Sequence, residues 1–118
     1  MKIRIKGNSL RYRLTKSDIL TLAQNGSINE QTDFVGKSLI YALMTTQGGV
    51  ITAEFINNTI TLFLPKIMVH KLVETEIIGF NGNSGKLTLL VEKDFTCLDN
   101  VEEDQSDNYP NPLALGQL

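Results

Sequence analysis

The sequence has few of the side chains from which disulfides and zinc sites are built. Its 118 residues include one cysteine (Cys97), one histidine (His70) and no tryptophan. A single cysteine cannot form an internal disulfide, and one cysteine with one histidine cannot supply the four ligands of a structural zinc site. We therefore predict no disulfide framework and no metal centre, and we assign no cofactor and no catalytic residue.

Long apolar segments are also missing. The longest apolar run is residues 39–44, whereas a membrane-spanning helix needs about 20 apolar residues. The first six residues alternate basic and apolar side chains, which interrupts the continuous apolar core that a signal peptide needs. These features predict a soluble, cytoplasmic protein without a membrane partner.

The overall composition is that of an ordinary globular domain. Apolar residues make up 42% of the chain and charged residues 20%, a balance that disfavours wholesale disorder. The pattern of apolar residues breaks down near residue 96. We therefore predict a single α+β domain over residues 1–96, followed by an acidic, proline-containing tail over residues 97–118 that docks on it.

Local signals are clearest near the start of the chain. Two alternating runs flank Gly7-Asn8 and predict a β-hairpin with a two-residue turn. A helix is predicted over residues 16–24, because Thr15 and Asp18 have the spacing of a capping box and Gly26 can end the helix in the left-handed conformation.

The middle of the chain predicts a three-stranded meander. Residues 38–45 are apolar on both faces, as in a central strand. A two-residue turn at Gln47-Gly48 would place Met44 opposite Ile51. An Asn57-Asn58 turn would place Phe55 opposite Ile60.

Pro65 is predicted as the first residue of a second helix that extends to residue 73. A strand at 76–80, a glycine-rich loop at 81–85 and a long strand at 86–95 follow. The predicted order is β-β-α-β-β-β-β-α-β-β, and we expect a mostly antiparallel, strongly curved sheet or a partly open barrel.

Charge is unevenly distributed along the chain, although the net charge is only −2. Residues 1–16 contain six of the eleven basic residues and no acid, whereas residues 97–118 contain five acids and no base.

The register of the first hairpin places Arg4 opposite Arg11 and Lys2 opposite Arg13. Like charges in direct opposition destabilise a hairpin, so this arrangement calls for an explanation. The candidate anion- or partner-binding residues are Lys2, Arg4, Lys6, Arg11 and Arg13.

Three interpretations of this basic hairpin stay open. The cations can form a solvated edge that discourages strand pairing between molecules. They can face acids of the same chain, either Glu92 and Asp94 or the acidic tail. They can also bind phosphate or another polyanion.

The function itself is not set by these residues. The leading hypothesis is a small non-catalytic binding domain whose basic hairpin meets an acidic partner: its own tail, another copy, or another protein. The alternative is an enzyme acting on phosphate esters or polyphosphate, with an architecture like that of tunnel phosphatases. In that alternative the same cations hold phosphates, and Glu92 and Asp94 hold a metal.

The chain also resembles a family of small, uncharacterised bacterial proteins. The resemblance rests on the opening Lys-Ile-Arg-Ile-Lys-Gly-Asn-Ser-Leu-Arg at residues 2–11 and continues to Tyr109-Pro110-Asn111-Pro112. It implies one domain that includes the tail. It implies no activity, because none is known for the family.

Overall fold

The fold has the predicted class and element order. A computed structural model describes residues 1–96 and 104–112. These residues form eight strands and two helices, and the α+β class is confirmed. The elements in chain order are β1 (Lys2–Lys6), β2 (Ser9–Leu14), α1 (Lys16–Asn25), β3 (Ser27–Phe34), β4 (Lys37–Thr46), β5 (Thr52–Ile56), β6 (Thr59–Pro65), α2 (Lys66–Glu74), β7 (Gly79–Ser84) and β8 (Leu87–Lys93).

The strands form two sheets of four. Sheet A has the order β1-β2-β8-β7, and sheet B has the order β3-β4-β6-β5. In each sheet two antiparallel hairpins are joined by a central parallel pair, β2 with β8 and β4 with β6. The sheets are not closed into a barrel. Single contacts join the edges of the two sheets instead, each between a backbone nitrogen and a side-chain oxygen. The Ala53 N–H of β5 lies 3.5 Å from Ser84 Oγ of β7, and the Met1 ammonium beside β1 lies 2.8 Å from Glu30 Oε2 of β3.

One ββαββ unit occurs twice in this arrangement. β5, β6 and α2 follow β1, β2 and α1 in the same order. Each begins the same number of residues after its counterpart in the first unit. The two units exchange their second hairpins, so that β7 and β8 complete sheet A and β3 and β4 complete sheet B. The side chains of the two units differ, with Lys2-Ile3-Arg4 at the place of Thr52-Ala53-Glu54, which hides the repeat in the sequence.

Both predicted helices form. Thr15 accepts a hydrogen bond from the Asp18 N–H, and the Asp18 carboxylate accepts one from the Thr15 N–H, which completes the predicted capping box at the start of α1. Gly26 ends α1 with φ at 81°. Pro65 is the N-cap of α2 rather than its first helical residue.

The predicted hairpin between β4 and β5 is wrong. β4 pairs in parallel with β6, so that Met44 lies opposite Phe63 and not opposite Ile51. The Asn57-Asn58 hairpin is confirmed, with Phe55 opposite Ile60 and positive φ at both turn residues. A strand that is apolar on both faces fits several partners equally well, so its apolar pattern alone cannot select one.

The seventh strand also differs from the prediction. A strand was predicted over residues 76–80 and a loop over 81–85. β7 instead covers Gly79–Ser84, and residues 76–78 precede it outside any strand. Among the described residues β7 pairs only with β8. An edge strand of this kind tolerates the polar, glycine-rich composition that we interpreted as a loop.

The core lies between the inner faces of the two sheets. The helices close one end of it, and the strand turns lie at the other. Buried side chains come from both sheets and both helices, and they include Tyr12, Leu43, Leu62, Leu89, Ile19, Leu22, Val69 and Leu72.

The described part of the tail contacts the end of β8 and the start of α1. The Tyr109 N–H donates to the Asp94 carbonyl at 2.9 Å. The Tyr109 ring packs edge-on against Phe95, with Lys93 Nζ 4.9 Å from its centroid. Asp107 accepts hydrogen bonds at the start of α1, where those from Thr15 and Ser17 lower the pKa of its carboxyl group. Residues 104–112 therefore lie at the opposite end of the first hairpin from its turn.

We propose that the tail docks on the domain through Tyr109. Tyr109→Ala is expected to lower the free energy of unfolding by about 1–2 kcal/mol, because the contacts with Phe95 and Lys93 are lost. Tyr109→Phe keeps the ring and should retain most of the stability. Urea denaturation of the full chain measures both variants, and an unchanged midpoint for Tyr109→Ala would contradict docking through this residue.

Candidate functional site

The predicted basic residues share the outer side of sheet A. β1 and β2 alternate in and out, so that Ile3, Leu10 and Tyr12 face the core and the cations face away from it. The predicted register is confirmed, with Arg4 opposite Arg11 and Lys2 opposite Arg13. We call this surface the basic face, and it comprises Lys2, Arg4, Lys6, Arg11 and Arg13.

Two carboxylates of the same chain reach the basic face. Arg11 Nε lies 3.0 Å from Glu92 Oε1, and Lys2 Nζ lies 3.1 Å from Asp94 Oδ2. Glu92 belongs to β8, which pairs directly with β2, and Asp94 is the residue after the end of that strand. The interpretation as an internal salt-bridged surface is therefore correct for two of the five cations.

The other three cations have no such carboxylate among the residues that the structure describes. Within residues 1–96 and 104–112, Arg4, Lys6 and Arg13 form no ion pair. The Arg4 and Lys6 side chains are exposed, and Arg13 is partly exposed. Charge on the basic face is therefore compensated at Lys2 and Arg11, and the face remains positive at Arg4, Lys6 and Arg13.

Two shallow grooves cross the basic face. One, of about 280 Å³, is lined by Arg4, Lys6, Ser9 and Arg11. The other, of about 150 Å³, is lined by Lys2, Ile3, Arg4, Arg11 and Arg13. Arg4 and Arg11 line both grooves, so the two guanidinium groups that face each other across the hairpin lie at the centre of the positive surface.

A comparison with protein families matches residues 1–113 to a family of unknown function, DUF7009. The chain belongs to the DUF7009 family. The matched range includes the basic face and the described part of the tail. No curated protein and no solved structure matches this DUF7009 chain.

The inner surface of the DUF7009 fold differs from a phosphate tunnel. The sheets are not closed, and the side chains between them are mainly apolar. Tyr12 fills the centre, and its hydroxyl donates to the Ile60 carbonyl at 3.2 Å. The tunnel-like architecture of the enzyme hypothesis is therefore absent from the described residues.

A further groove with polar lining, of about 280 Å³, lies beside the two helices. Its polar side chains include Gln24, Asn25, Gln47, Lys66 and His70. His70 is exposed on α2. Within the described ranges no three His, Cys, Asp or Glu side chains are placed to hold a metal ion. Cys97 and the acids at positions 99, 102 and 103 lie outside the described residues.

No helix in residues 1–96 or 104–112 has the length and apolar character needed to cross a membrane.

Sequence analysis missed an apolar cleft at the turn end of the DUF7009 fold. It lies between the two sheets, measures about 460 Å³, and has Ile5, Leu39 and Phe55 among its lining residues. Its walls come from β1, β4 and β5, which are far apart in sequence. The only local signal was apolar residues beside the turns, and that signal does not show that the sheets diverge there.

Proposed function

We propose that this chain is a small, non-catalytic binding domain that meets an acidic partner on the basic face. The observation that carries the proposal is the direct opposition of Arg4 and Arg11 in two grooves whose charged residues are all basic. Directly opposed like charges cost the hairpin a few tenths of a kcal/mol up to about 1 kcal/mol per pair. Glu92 already pairs with Arg11 through its Nε, and a carboxylate of the partner would supply the matching counter-charge to Arg4.

The position of β1 supports an extended segment as the partner. β1 is an edge strand of sheet A, so its outer backbone groups can pair with an added strand. Acids at alternate positions of such a strand repeat about every 6.8 Å, which is the repeat of Lys2, Arg4 and Lys6 along β1. Apolar residues between those acids would face Ile3 and Ile5 on the other side of the sheet.

The proposed partner is another protein chain. The described part of the tail is engaged at the start of α1 and at Asp94, at the far end of the hairpin from Lys6. A second copy would have to offer an edge strand with acids at alternate positions. Its edges at β1 and β7 carry no acid, and β5 carries only Glu54. The two acids of β3 are Glu30, which pairs with the Met1 ammonium, and Asp33, which lies on the opposite face of that strand. An acidic extended segment of a different protein fits the charge and the open edge of β1 best.

The enzyme hypothesis receives no comparable support. Its cations would have to converge on a pocket, whereas the basic face is open and turned away from the core. Glu92 and Asp94, its metal-binding carboxylates, are each occupied by an ion pair with the basic face.

The test is a binding titration of the full chain with a labelled peptide that alternates glutamate and valine. We expect saturable binding that weakens as salt rises from 50 to about 150 mM, since exposed charge pairs are screened. Replacing both Arg4 and Lys6 by glutamine should weaken binding about fivefold. Lys71→Gln removes an exposed charge from α2 and serves as the matched control.

Two results would overturn the proposal. One is equal affinity of the double variant and the Lys71→Gln control. The other is tighter binding of single-stranded DNA or polyphosphate than of the peptide, with the same dependence on Arg4. That second result would reveal a general polyanion surface instead.

A further inference from the structure

The apolar cleft at the turn end has the size and lining of a ligand-binding site. Its walls come from the inner faces of both sheets and enclose about 460 Å³, which lies within the range of small-molecule sites. The helices close the opposite end of the core, so the cleft opens only where the sheets diverge. Its apolar lining includes Ile5, Leu10, Leu39, Ala53, Phe55 and Ile60.

Two lining side chains face inward yet remain in contact with solvent. Ile5 is 62% exposed and Phe55 is 67% exposed. Tyr12 and Leu62 lie on the same inward faces of the two hairpins, one cross-strand pair closer to the helices. Both are fully buried. The core is thus filled beside the helices and left open beside the turns, where an apolar ligand would cover Ile5 and Phe55.

Two lysines lie close in sequence to residues that line the cleft. Lys86 precedes Leu87, and Lys37 lies two residues before Leu39. Both lysines are exposed, and neither forms an ion pair with the part of the chain that the structure describes. Glu54 is the one acid in the lining, and strand alternation places its side chain on the opposite face of β5 from Phe55.

Lys37 is the lysine best placed to meet a charged group at the mouth. It is the first residue of β4 and shares the inner face of that strand with Leu39. The β3–β4 hairpin is longer than the β7–β8 hairpin, which is its counterpart in the repeated unit. Lys37 and its pairing partner Phe34 therefore belong to an extension of sheet B on the mouth side of Leu39.

We infer that the cleft binds a single-chain amphiphile with an anionic head group. The apolar chain lies between the sheets against Phe55 and Ile5, and the anionic head lies at the rim beside Lys37. This site is separate from the basic face, which lies on the outer side of sheet A.

The test is calorimetric titration of the full chain with dodecanoate below its micelle concentration. We expect one site per chain and weaker binding of dodecyltrimethylammonium, which has the same chain length and a cationic head. Phe55→Ser should weaken dodecanoate binding about tenfold, because a large apolar contact is lost. Ile56→Ser is the matched control, since Ile56 is 54% exposed on the opposite face of the same strand.

The head group is tested separately. Lys37→Gln should weaken dodecanoate binding several-fold and leave binding of dodecyltrimethylammonium unchanged or stronger. The Arg4 and Lys6 double variant should retain most of the dodecanoate affinity, so failure of this inference and failure of the proposed function can be distinguished.

Several outcomes would overturn the inference. These are the absence of dodecanoate binding, equal weakening by Phe55→Ser and Ile56→Ser, and binding to anionic phosphatidylglycerol vesicles without binding to free dodecanoate. Loss of the site through self-association, seen as a dodecanoate affinity that falls as protein concentration rises, would assign the cleft to a second copy instead.

Discussion

Replacing Tyr12 with alanine is expected to lower the free energy of unfolding by about 3–5 kcal/mol. Tyr12 lies at the centre of β2 and is fully buried. Its hydroxyl donates to the Ile60 carbonyl of sheet B at 3.2 Å, so that one side chain spans the space between the sheets. A domain of this size has roughly 5–15 kcal/mol of stability, so the loss would leave the variant close to unfolding at ambient temperature.

Tyr12→Phe is the control for this prediction. It removes the hydroxyl and keeps the ring, so we expect a loss of about 1 kcal/mol. Urea denaturation followed by far-ultraviolet circular dichroism measures both variants. Equal destabilisation by Tyr12→Ala and Tyr12→Phe would show that the hydrogen bond, and not the filling of the core, is the main contribution.

The same residue gives a pH dependence. Burial raises the pKa of the Tyr12 phenol above its ordinary value. The unfolded chain therefore loses this proton near pH 10, while the folded chain keeps it, so stability falls as pH rises beyond about 10. Part of this loss at alkaline pH should be absent from Tyr12→Phe.

Gly79→Ala is expected to cost about 3 kcal/mol of stability. A Cβ at this position would overlap the carbonyl oxygen of Val91 and lie 2.9 Å from the Cα of Glu92. Both are backbone atoms of β8, a central strand of sheet A, so β7 would have to move away and weaken its pairing.

Gly49→Ala is the matched control for Gly79, because its added Cβ meets no described atom within 4 Å. Thermal unfolding of both variants checks the prediction. A similar melting temperature for the two would mean that β7 shifts outward at little cost. Since Glu92 holds Arg11, a real distortion should also loosen this ion pair on the basic face.

Features that depend on neighbouring residues were predictable from the sequence. The Gly7-Asn8 hairpin follows from alternating basic and apolar residues on both sides of a two-residue turn. The ends of helix α1 follow from Thr15 and Asp18 at its start and Gly26 at its end. The hairpin register also predicted that Arg4 lies opposite Arg11. The negative charges of Glu92 and Asp94 indicated which side chains would compensate the cations.

Features that depend on distant pairing were not predictable. β4 is apolar on both faces, so its pairing with β6 follows from the path of the chain and not from its own pattern. The parallel pairing of β2 with β8 is equally invisible in the local sequence. The apolar cleft depends on both of these pairings, because it exists only where the two sheets diverge.

The exchange of hairpins between the two repeated units determines how the chain can fold. Neither unit contains a complete sheet, since Ser9 of the first unit pairs with Thr88 of the second. Helices and hairpins can form quickly from local contacts, but the long loops must close before either sheet gains its central pair. We therefore expect these distant pairings to limit the folding rate. During synthesis the four strands of sheet B are all available once β6 has emerged from the ribosome, whereas sheet A gains its central pair only with β8.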